Sequence, residues 1–266
     1  MTHHYSRQDI VNALKDIGLK KGDVVFSHSN VGFLGRAQNG MDQQDVFEII
    51  LEAFTEVIGT EGTLVVPTFT YSFSQGKVFD LVNSPSTCGF FTELLRLSSN
   101  ATRSLDPSIS VAAIGARAAT LTENVPENAY TENSFFDRFF KAKGIICNIN
   151  FDAGSTFVHY VERALKVPYR FDKTFTGTII DTSGKIEHCT STIWVRQLQS
   201  GTEAQFETFN SLAVERKLYK KARVGRGFVG AISAIDTFNL IKEILPIRPW
   251  FLTKAGHLSD NPICIL

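Results

Sequence analysis

The first 168 residues alternate between short apolar runs and segments of helical periodicity, and this alternation restricts the folds open to the chain. Apolar side chains repeated every three or four residues predict helices, and short apolar runs bounded by turn residues predict strands. The predicted helices are 6–17, 42–58, 89–98, 134–141 and one from 155 or 156 to 167, and the predicted strands are 23–28, 63–67, 110–115 and 144–150. This order predicts an α/β fold with a doubly wound, mainly parallel sheet and helices on both faces.

The pattern changes after Pro168, where strand-like segments follow one another without a helix between them. Residues 174–180 and 185–195 flank an Asp-Thr-Ser-Gly turn and predict an antiparallel hairpin. Further predictions are a helix at 203–218, a glycine-broken strand region at 223–233 and a helix at 235–245. We therefore expect a single domain over residues 1–266. Its α/β body ends near residue 168, and an antiparallel, β-rich C-terminal extension of about 169–266 lies on the substrate side.

The amino-acid composition limits the kinds of molecule that the chain is expected to bind. Lys and Arg together number 27, as do Asp and Glu, so the formal net charge is zero and no overall field favours nucleic acid or an anionic membrane. No segment is long enough to span a bilayer. The four cysteines, Cys88, Cys147, Cys189 and Cys264, lack disulfide or zinc spacing, which favours a reducing, cytoplasmic location. Twenty-two Phe residues would allow an aromatic-lined pocket or a homodimer interface.

Residues 152–163, Asp-Ala-Gly-Ser-Thr-Phe-Val-His-Tyr-Val-Glu-Arg, carry the strongest chemical signal. Ser155 or Thr156 is expected to cap a helix on which His159 and Glu162, three positions apart, share one face. A carboxylate beside an imidazole fixes its tautomer and stabilises the imidazolium, as a general base requires. A surface His–Glu pair without catalytic function is the alternative.

Four other segments place polar residues at or beyond predicted strand ends, where ligands bind in open α/β sheets. His28 precedes a glycine-bearing loop, Thr68 ends a buried strand, and Asp80 is a lone acid in a long loop. Arg103 and Ser104 open a segment that can bind phosphate through a guanidinium fork and hydroxyl donors. The alternatives are a core histidine for His28 and a solvated loop acid for Asp80.

Taken in order, these segments resemble the aminoglycoside N3-acetyltransferase family, the acetyl-CoA-dependent antibiotic N-acetyltransferases. The matching stretches are His28-Ser29-Asn30 with Gly35, 62–68, Phe79-Asp80 with 84–86 and Gly89, 103–110, and 156–162. The resemblance extends over roughly residues 7–167 and more loosely over the remainder. It departs from the family pattern at Asp106, where the family usually has His, and at Asn30, where Ser is usual.

The resemblance implies that coenzyme A lies in a cleft with an amine acceptor opposite it. It implies that His159 is the general base and Glu162 its helper, and we expect Asp106, near the reacting groups, to be the third catalytic residue. The implied contacts to acetyl-CoA, or to another acyl-CoA, come from Ser29, Gly35, Thr68, Arg103 and Ser104.

We expect His28 and Asp80 to bind the acceptor, an amino sugar that is either an aminoglycoside or a nucleotide-linked amino sugar. The acyltransferase reaction needs no metal. Two alternatives stay open at this point. His28, His159 and Glu162 would hold a metal in a hydrolase, or the chain would be a non-catalytic coenzyme A-binding module.

Overall fold

A computed structural model describes residues 3–260, and ten strands numbered in chain order form two sheets within that range. The central sheet has seven strands in the order β4-β5-β2-β1-β6-β10-β9. Their bounds are β1 Val24–Phe26, β2 Thr63–Pro67, β4 Thr102–Arg103, β5 Val111–Gly115, β6 Ile145–Ile149, β9 Lys220–Val224 and β10 Gly227–Ser233. The second sheet has the order β3-β7-β8, with β3 Phe79–Asp80, β7 Arg170–Ile180 and β8 Ile186–Arg196.

Within the central sheet, parallel strand pairing is confined to the middle. Strand β1 pairs in parallel with β2 on one side and with β6 on the other. Antiparallel strands flank this core, since β5 pairs with β2 and β10 pairs with β6. The carboxyl ends of β1, β2 and β6 therefore meet at one edge of the sheet, which is where ligands bind in folds of this class.

Helices cover both faces of the central sheet, which confirms the predicted α/β fold. Helices α1 Arg7–Asp16, α2 Gln43–Ile58 and α3 Phe90–Leu97 share a core with one face. Helices α4 Ala118–Thr122, α5 Phe135–Lys141, α6 Phe157–Ala164, α7 Glu207–Glu215 and α8 Ala234–Ile244 pack against the other. Helix α9 is Lys254–Asp260. None of the helices among residues 3–260 has the length and apolarity needed to cross a membrane.

Local sequence signals explain where these helices begin. The Ser6 hydroxyl accepts a hydrogen bond from the Asp9 N–H, and the Asp9 carboxylate accepts one from the Ser6 N–H at 2.7 Å, so the two residues form a capping box. Asp42 and Ser134 cap α2 and α5 in the same way, through the N–H three residues later.

Much of the phenylalanine content fills the core beneath α5 and α6. The Phe26 ring on β1 meets the rings of Phe135, Phe136 and Phe139 edge-on, at centroid distances of 5.1, 5.9 and 5.8 Å. Phe139 in turn packs on Phe157 at the start of α6, with the ring centroids 5.6 Å apart. Buried aromatic pairs of this kind fix the position of α6 relative to the sheet.

The C-terminal part of the chain is divided differently from the prediction. The hairpin of β7 and β8 forms as predicted, and the loop over 71–88 supplies β3 at its side. The region 223–233 forms a second hairpin, β9–β10, because β10 pairs antiparallel with β6. This hairpin and α8 therefore belong to the α/β body rather than to a separate β-rich portion.

Candidate active site

Helix α6 carries His159 in its first turn, directly after the loop that leaves the carboxyl end of β6. The expected side-chain cap is absent, since Thr156 makes no capping hydrogen bond. Its hydroxyl lies 3.1 Å from His28 Nε2 instead. The Ser155 hydroxyl is buried and has no hydrogen-bond partner among residues 3–260. Thr156 thus connects the end of β1 to the start of α6.

His159 and Glu162 form the contact that their spacing predicts. His159 Nδ1 lies 2.7 Å from Glu162 Oε2, and the carboxylate is fully buried whereas 21% of the imidazole side chain is exposed. A neutral imidazole that donates its Nδ1–H to Glu162 keeps the lone pair on Nε2. Within the described part of the chain no group hydrogen-bonds Nε2, so this nitrogen is available to a substrate.

Tyr169 and Arg170, which no motif in the sequence marks, complete the surroundings of Glu162. The Tyr169 hydroxyl donates to Glu162 Oε1 at 3.0 Å, and Arg170 Nε lies 2.8 Å from Oε2. Burial raises the pKa of Tyr169, and the neighbouring Glu162 raises it further, so the phenol stays a donor. Their position directly after Pro168, at the start of β7, was the signal available in the sequence, but nothing in the local pattern indicates that both turn back towards α6.

Aromatic rings enclose the imidazole. The Tyr130 ring meets His159 edge-on with the centroids 6.4 Å apart, and Phe206 lies on another side at 6.0 Å. Burial raises the pKa of Tyr130, so its hydroxyl remains protonated. No other described residue hydrogen-bonds that hydroxyl. Tyr130 lies in an irregular segment without periodicity, so no sequence pattern marks it as a functional residue.

His28 lies at the carboxyl end of β1, beside Thr156, and packs edge-on against Phe26 with the ring centroids 4.7 Å apart. Burial lowers the pKa of His28 to about 4, so the ring is neutral at physiological pH. Its Nδ1 and the Ser29 hydroxyl are buried without a hydrogen-bond partner among the described residues. Unsatisfied buried polar atoms are costly, and a ligand that bonds them removes the cost.

Thr68 and Ser104, both predicted coenzyme A ligands, are occupied within the protein. The fully buried Thr68 hydroxyl lies 3.0 Å from the Ser110 hydroxyl, and the buried Ser104 hydroxyl accepts the Val111 N–H at 3.0 Å. These contacts align β2, β4 and β5. Their hydroxyls support the sheet and are not exposed to a cleft.

Arg103 has a structural role that the sequence did not predict. Its guanidinium donates to the carbonyl oxygens of Thr68, Leu81 and Ser84 at 2.8, 3.1 and 2.7 Å. It also lies over the Phe79 ring, 4.9 Å from the centroid. The fork expected to bind phosphate therefore holds the loop after β3 in place.

Asp80 stabilises the same loop. Its carboxylate accepts the N–H groups of Val82 and Asn83 at 2.9 and 2.8 Å. Hydrogen bonds from the Asn83 side chain and backbone lower the pKa of Asp80. The carboxylate acts here as a turn cap, and the structure does not bring it to His159 through any contact.

Asp106 also caps a turn, but it borders a cavity. Its Oδ1 accepts the N–H groups of Ser108 and Ile109 at 2.9 and 3.0 Å, and burial raises its pKa to about 6. The adjoining cavity, of about 350 Å³, is also lined by Glu127. Tyr130 lies within electrostatic range of both Asp106 and Glu162.

A second cavity approaches His159 from the side of Phe206. It has a volume of about 440 Å³ and is lined by polar side chains that include Asp152, Gln205, Glu207 and Asn210. Residues 3–260 contain no group of three or more His, Cys, Asp and Glu side chains arranged to hold a metal ion, so His28, His159 and Glu162 do not form one.

A protein-family model described as aminoglycoside 3-N-acetyltransferase matches residues 26–246. The chain belongs to this family. The match confirms the predicted family and the predicted enzyme class, an acetyl-CoA-dependent amine N-acetyltransferase with an acyl-CoA as co-substrate. It runs from the last residue of β1 past the end of α8 and therefore includes every candidate site residue named above.

Individual relatives are distant. Aminoglycoside N(3)-acetyltransferase III of a Salmonella species is 22% identical over 202 residues, which is 68% of each chain. Aminoglycoside N(3)-acetyltransferase IX of Micromonospora chalcea is 28% identical over 143 residues, 46% of this chain and 48% of that protein.

Solved structures share the fold. AAC-IIIb, in a binary complex with CoASH, superposes with a TM-score of 0.76 at 19% identity over 91% of this chain and 97% of that one. AAC-VIa bound to sisomicin superposes with a TM-score of 0.77 at 23% identity, over 93% of this chain and 99% of that one. These likenesses confirm the α/β architecture with its separate antiparallel sheet.

Proposed function

We propose that the enzyme transfers the acetyl group of acetyl-CoA to a primary amine of an amino sugar, with His159 as the general base. The observation that carries this proposal is the His159–Glu162 contact, which leaves Nε2 unpaired in a partly exposed position. The other residues below assist this nitrogen.

The amine attacks the thioester carbonyl carbon, and His159 Nε2 takes a proton from the nitrogen as the C–N bond forms. Collapse of the tetrahedral intermediate breaks the C–S bond and releases the coenzyme A thiolate, which accepts the proton from the imidazolium. No acyl-enzyme is required. Among the described cysteines, Cys147 is buried and Cys88 and Cys189 have raised pKa values through burial, which makes all three poor nucleophiles.

Glu162, Tyr169 and Arg170 support the imidazole. The carboxylate orients the ring and stabilises the positive charge that forms on it during attack. Arg170 compensates the buried negative charge of Glu162 while the imidazole is neutral. Tyr169 occupies the second carboxylate oxygen and fixes its rotamer.

We assign the oxyanion donor to Tyr130. The Thr68 hydroxyl, at the end of β2, is not available for this role because it is already bonded to Ser110. The Tyr130 hydroxyl is protonated, lies beside the His159 ring and has no hydrogen-bond partner in the described part of the chain. A preorganised donor of this kind stabilises the charge that develops on the carbonyl oxygen.

The acceptor is best matched by a sugar that carries several amines. Carboxylates line both cavities near the site, Asp106 and Glu127 in one and Asp152 and Glu207 in the other. Cationic amines complement these walls, whereas the diphosphate of a nucleotide-linked amino sugar would be repelled by them. The relative AAC-VIa in complex with sisomicin supports an aminoglycoside as the acceptor. We place the reaction in the cytoplasm because three described cysteines are unpaired thiols.

The test is release of the coenzyme A thiol from acetyl-CoA with a panel of acceptors, with mass spectrometry of the products. The panel contains aminoglycosides, single amino sugars and nucleotide-linked amino sugars. We expect an added mass of one acetyl group on an aminoglycoside. Tight coenzyme A binding with no turnover on any amine would instead support the non-catalytic binding module, and turnover only on a nucleotide-linked sugar would contradict the acceptor assignment.

A further inference from the structure

Since Arg103 is engaged with carbonyl oxygens, the phosphates of the acyl donor need another cationic partner. We propose that Arg36, Arg226 and His4 form a polyanion site that binds the diphosphate and 3′-phosphate end of coenzyme A. This inference rests on the proposed function, because it assigns the phosphate end of the co-substrate of the same site.

The three residues belong to separate segments that meet at one loop. The Arg36 N–H donates to His4 Nδ1 at 2.8 Å, and the Arg226 N–H donates to the Leu34 carbonyl at 3.1 Å. A Cβ built on Gly35 would lie 2.7 Å from His4 Nδ1 and 3.3 Å from Arg226 Cδ. Gly35 has φ of +86°, so the close approach and the backbone conformation both require glycine there.

The cluster is electropositive and uncompensated. Arg36 and Arg226 are exposed, and no described residue forms an ion pair with either of them. Partial desolvation, followed by the charges of Arg226 and Arg36, lowers the pKa of His4. In a chain whose net charge is zero, two unpaired arginines beside each other mark a local site for anions.

Space for a ligand lies beside the cluster. A cavity of about 620 Å³ is lined by His3, Arg36, Gln38 and Asn39, and its polar side chains can hydrogen-bond phosphate or ribose oxygens. The side chain of Phe33 in the same loop is 66% exposed and offers an aromatic face for an adenine base.

The site lies at the same edge of the sheet as His159. The Asn30 N–H, after β1, donates to the Ile149 carbonyl at the end of β6, where the chain leaves for α6. In the loops that follow β1 and β6, His28 Nδ1, the Ser29 hydroxyl and the Ser155 hydroxyl are buried without a partner among residues 3–260. The amides of a pantetheine arm running from the cluster to His159 can satisfy these atoms.

The experiment compares Arg36→Gln, Arg226→Gln and the double variant by calorimetry with coenzyme A and with pantetheine, which lacks the phosphates. A matched control, Arg117→Gln, removes an exposed arginine at the opposite edge of the sheet, next to the start of β2. Each charge-assisted phosphate contact contributes about tenfold in affinity. We expect the single variants to weaken coenzyme A binding about threefold to tenfold and the double variant about 30-fold or more, with a shallower salt dependence.

Pantetheine binding by the double variant and coenzyme A binding by Arg117→Gln should stay within about twofold of wild type. A double variant that binds coenzyme A as tightly as wild type, or that loses equal affinity for pantetheine, overturns the site. A wild-type protein that binds coenzyme A but acetylates no amine contradicts only the proposed function. Circular dichroism of each variant checks that the loop substitutions leave the fold intact.

Discussion

At the scale of single residues, the chemistry is concentrated on one buried carboxylate. Glu162 contacts His159 and Arg170 through Oε2 and Tyr169 through Oε1. The spacing of His159 and Glu162 could be predicted from the sequence, because residues three apart share a helix face. Tyr169 and Arg170 could not, because their contacts depend on how β7 returns towards α6.

Replacing Glu162 with Gln is expected to lower both activity and stability. The neutral amide no longer stabilises the imidazolium, so kcat should fall about 100-fold or more. It also leaves the Arg170 cation buried without its partner, which costs about 3–5 kcal/mol in the free energy of unfolding. Tyr169→Phe is the matched control, since it removes one neutral donor from the same carboxylate and should cost about 1 kcal/mol with little change in kcat. Steady-state kinetics measures kcat and urea denaturation measures the free energy of unfolding of each variant. Equal losses of kcat in the two variants would contradict the role of the charge on Glu162.

Asp106 makes stability depend on pH. Its pKa is raised from 3.8 to about 6 in the folded state, so between these values the folded protein binds more protons than the unfolded chain. The free energy of unfolding therefore falls as pH rises from about 4 to 6. Asp106→Asn keeps an acceptor for the N–H groups of Ser108 and Ile109 and removes this dependence. We expect it to be about 1–2 kcal/mol more stable than wild type at pH 7 and equal near pH 4. A difference that does not change with pH would show that the charge of Asp106 is not its origin.

At the scale of elements, the contacts of the loop after β3 decide between two roles for Arg103, a phosphate ligand and a structural residue. The sequence predicted a phosphate ligand, whereas the structure gives the guanidinium three carbonyl acceptors in β2 and this loop. Sequence alone cannot distinguish these roles, because an arginine in a short polar segment is compatible with both of them. The difference arises from the pairing of β3 with β7, which brings Leu81 and Ser84 within reach.

Arg103→Gln should therefore act on stability rather than on the co-substrate. Loss of the carbonyl contacts is expected to lower the free energy of unfolding by about 2–3 kcal/mol. The Kd of coenzyme A should change less than threefold. Chemical denaturation and calorimetry on the same preparation give both values. A tenfold weaker Kd with unchanged stability would restore the phosphate role predicted from the sequence.

At the scale of the whole molecule, most of the architecture was readable from the chain. The helical stripes and strand runs predicted α1, α2, α3, α5 and α6 and strands β1, β2, β5 and β6 within a few residues, whereas the short helix α4 was not predicted. The sequence did not predict that the C-terminal hairpin β9–β10 pairs with the central sheet. Its glycines, at 225, 227 and 230, indicate breaks in a strand but carry no information about which strand it pairs with.

Because the proposed co-substrate site spans the carboxyl edge of the central sheet, coenzyme A binding should stabilise the entire fold. At a ligand concentration of 100 times Kd, linkage predicts a gain of about 2.7 kcal/mol. For a chain of this size that corresponds to a rise in Tm of about 5 °C. Differential scanning calorimetry over a coenzyme A titration measures it. A Tm that does not depend on coenzyme A concentration would contradict binding to the native state.

The central claim is that the Nε2 atom of His159 takes the proton from the attacking amine. The most direct test measures two quantities for the His159→Ala variant: kcat with acetyl-CoA and the best acceptor, and the Kd of coenzyme A. The mechanism predicts that kcat falls about 100- to 10,000-fold while this Kd stays within about threefold of wild type. A variant that turns over at a rate near that of wild type would contradict it.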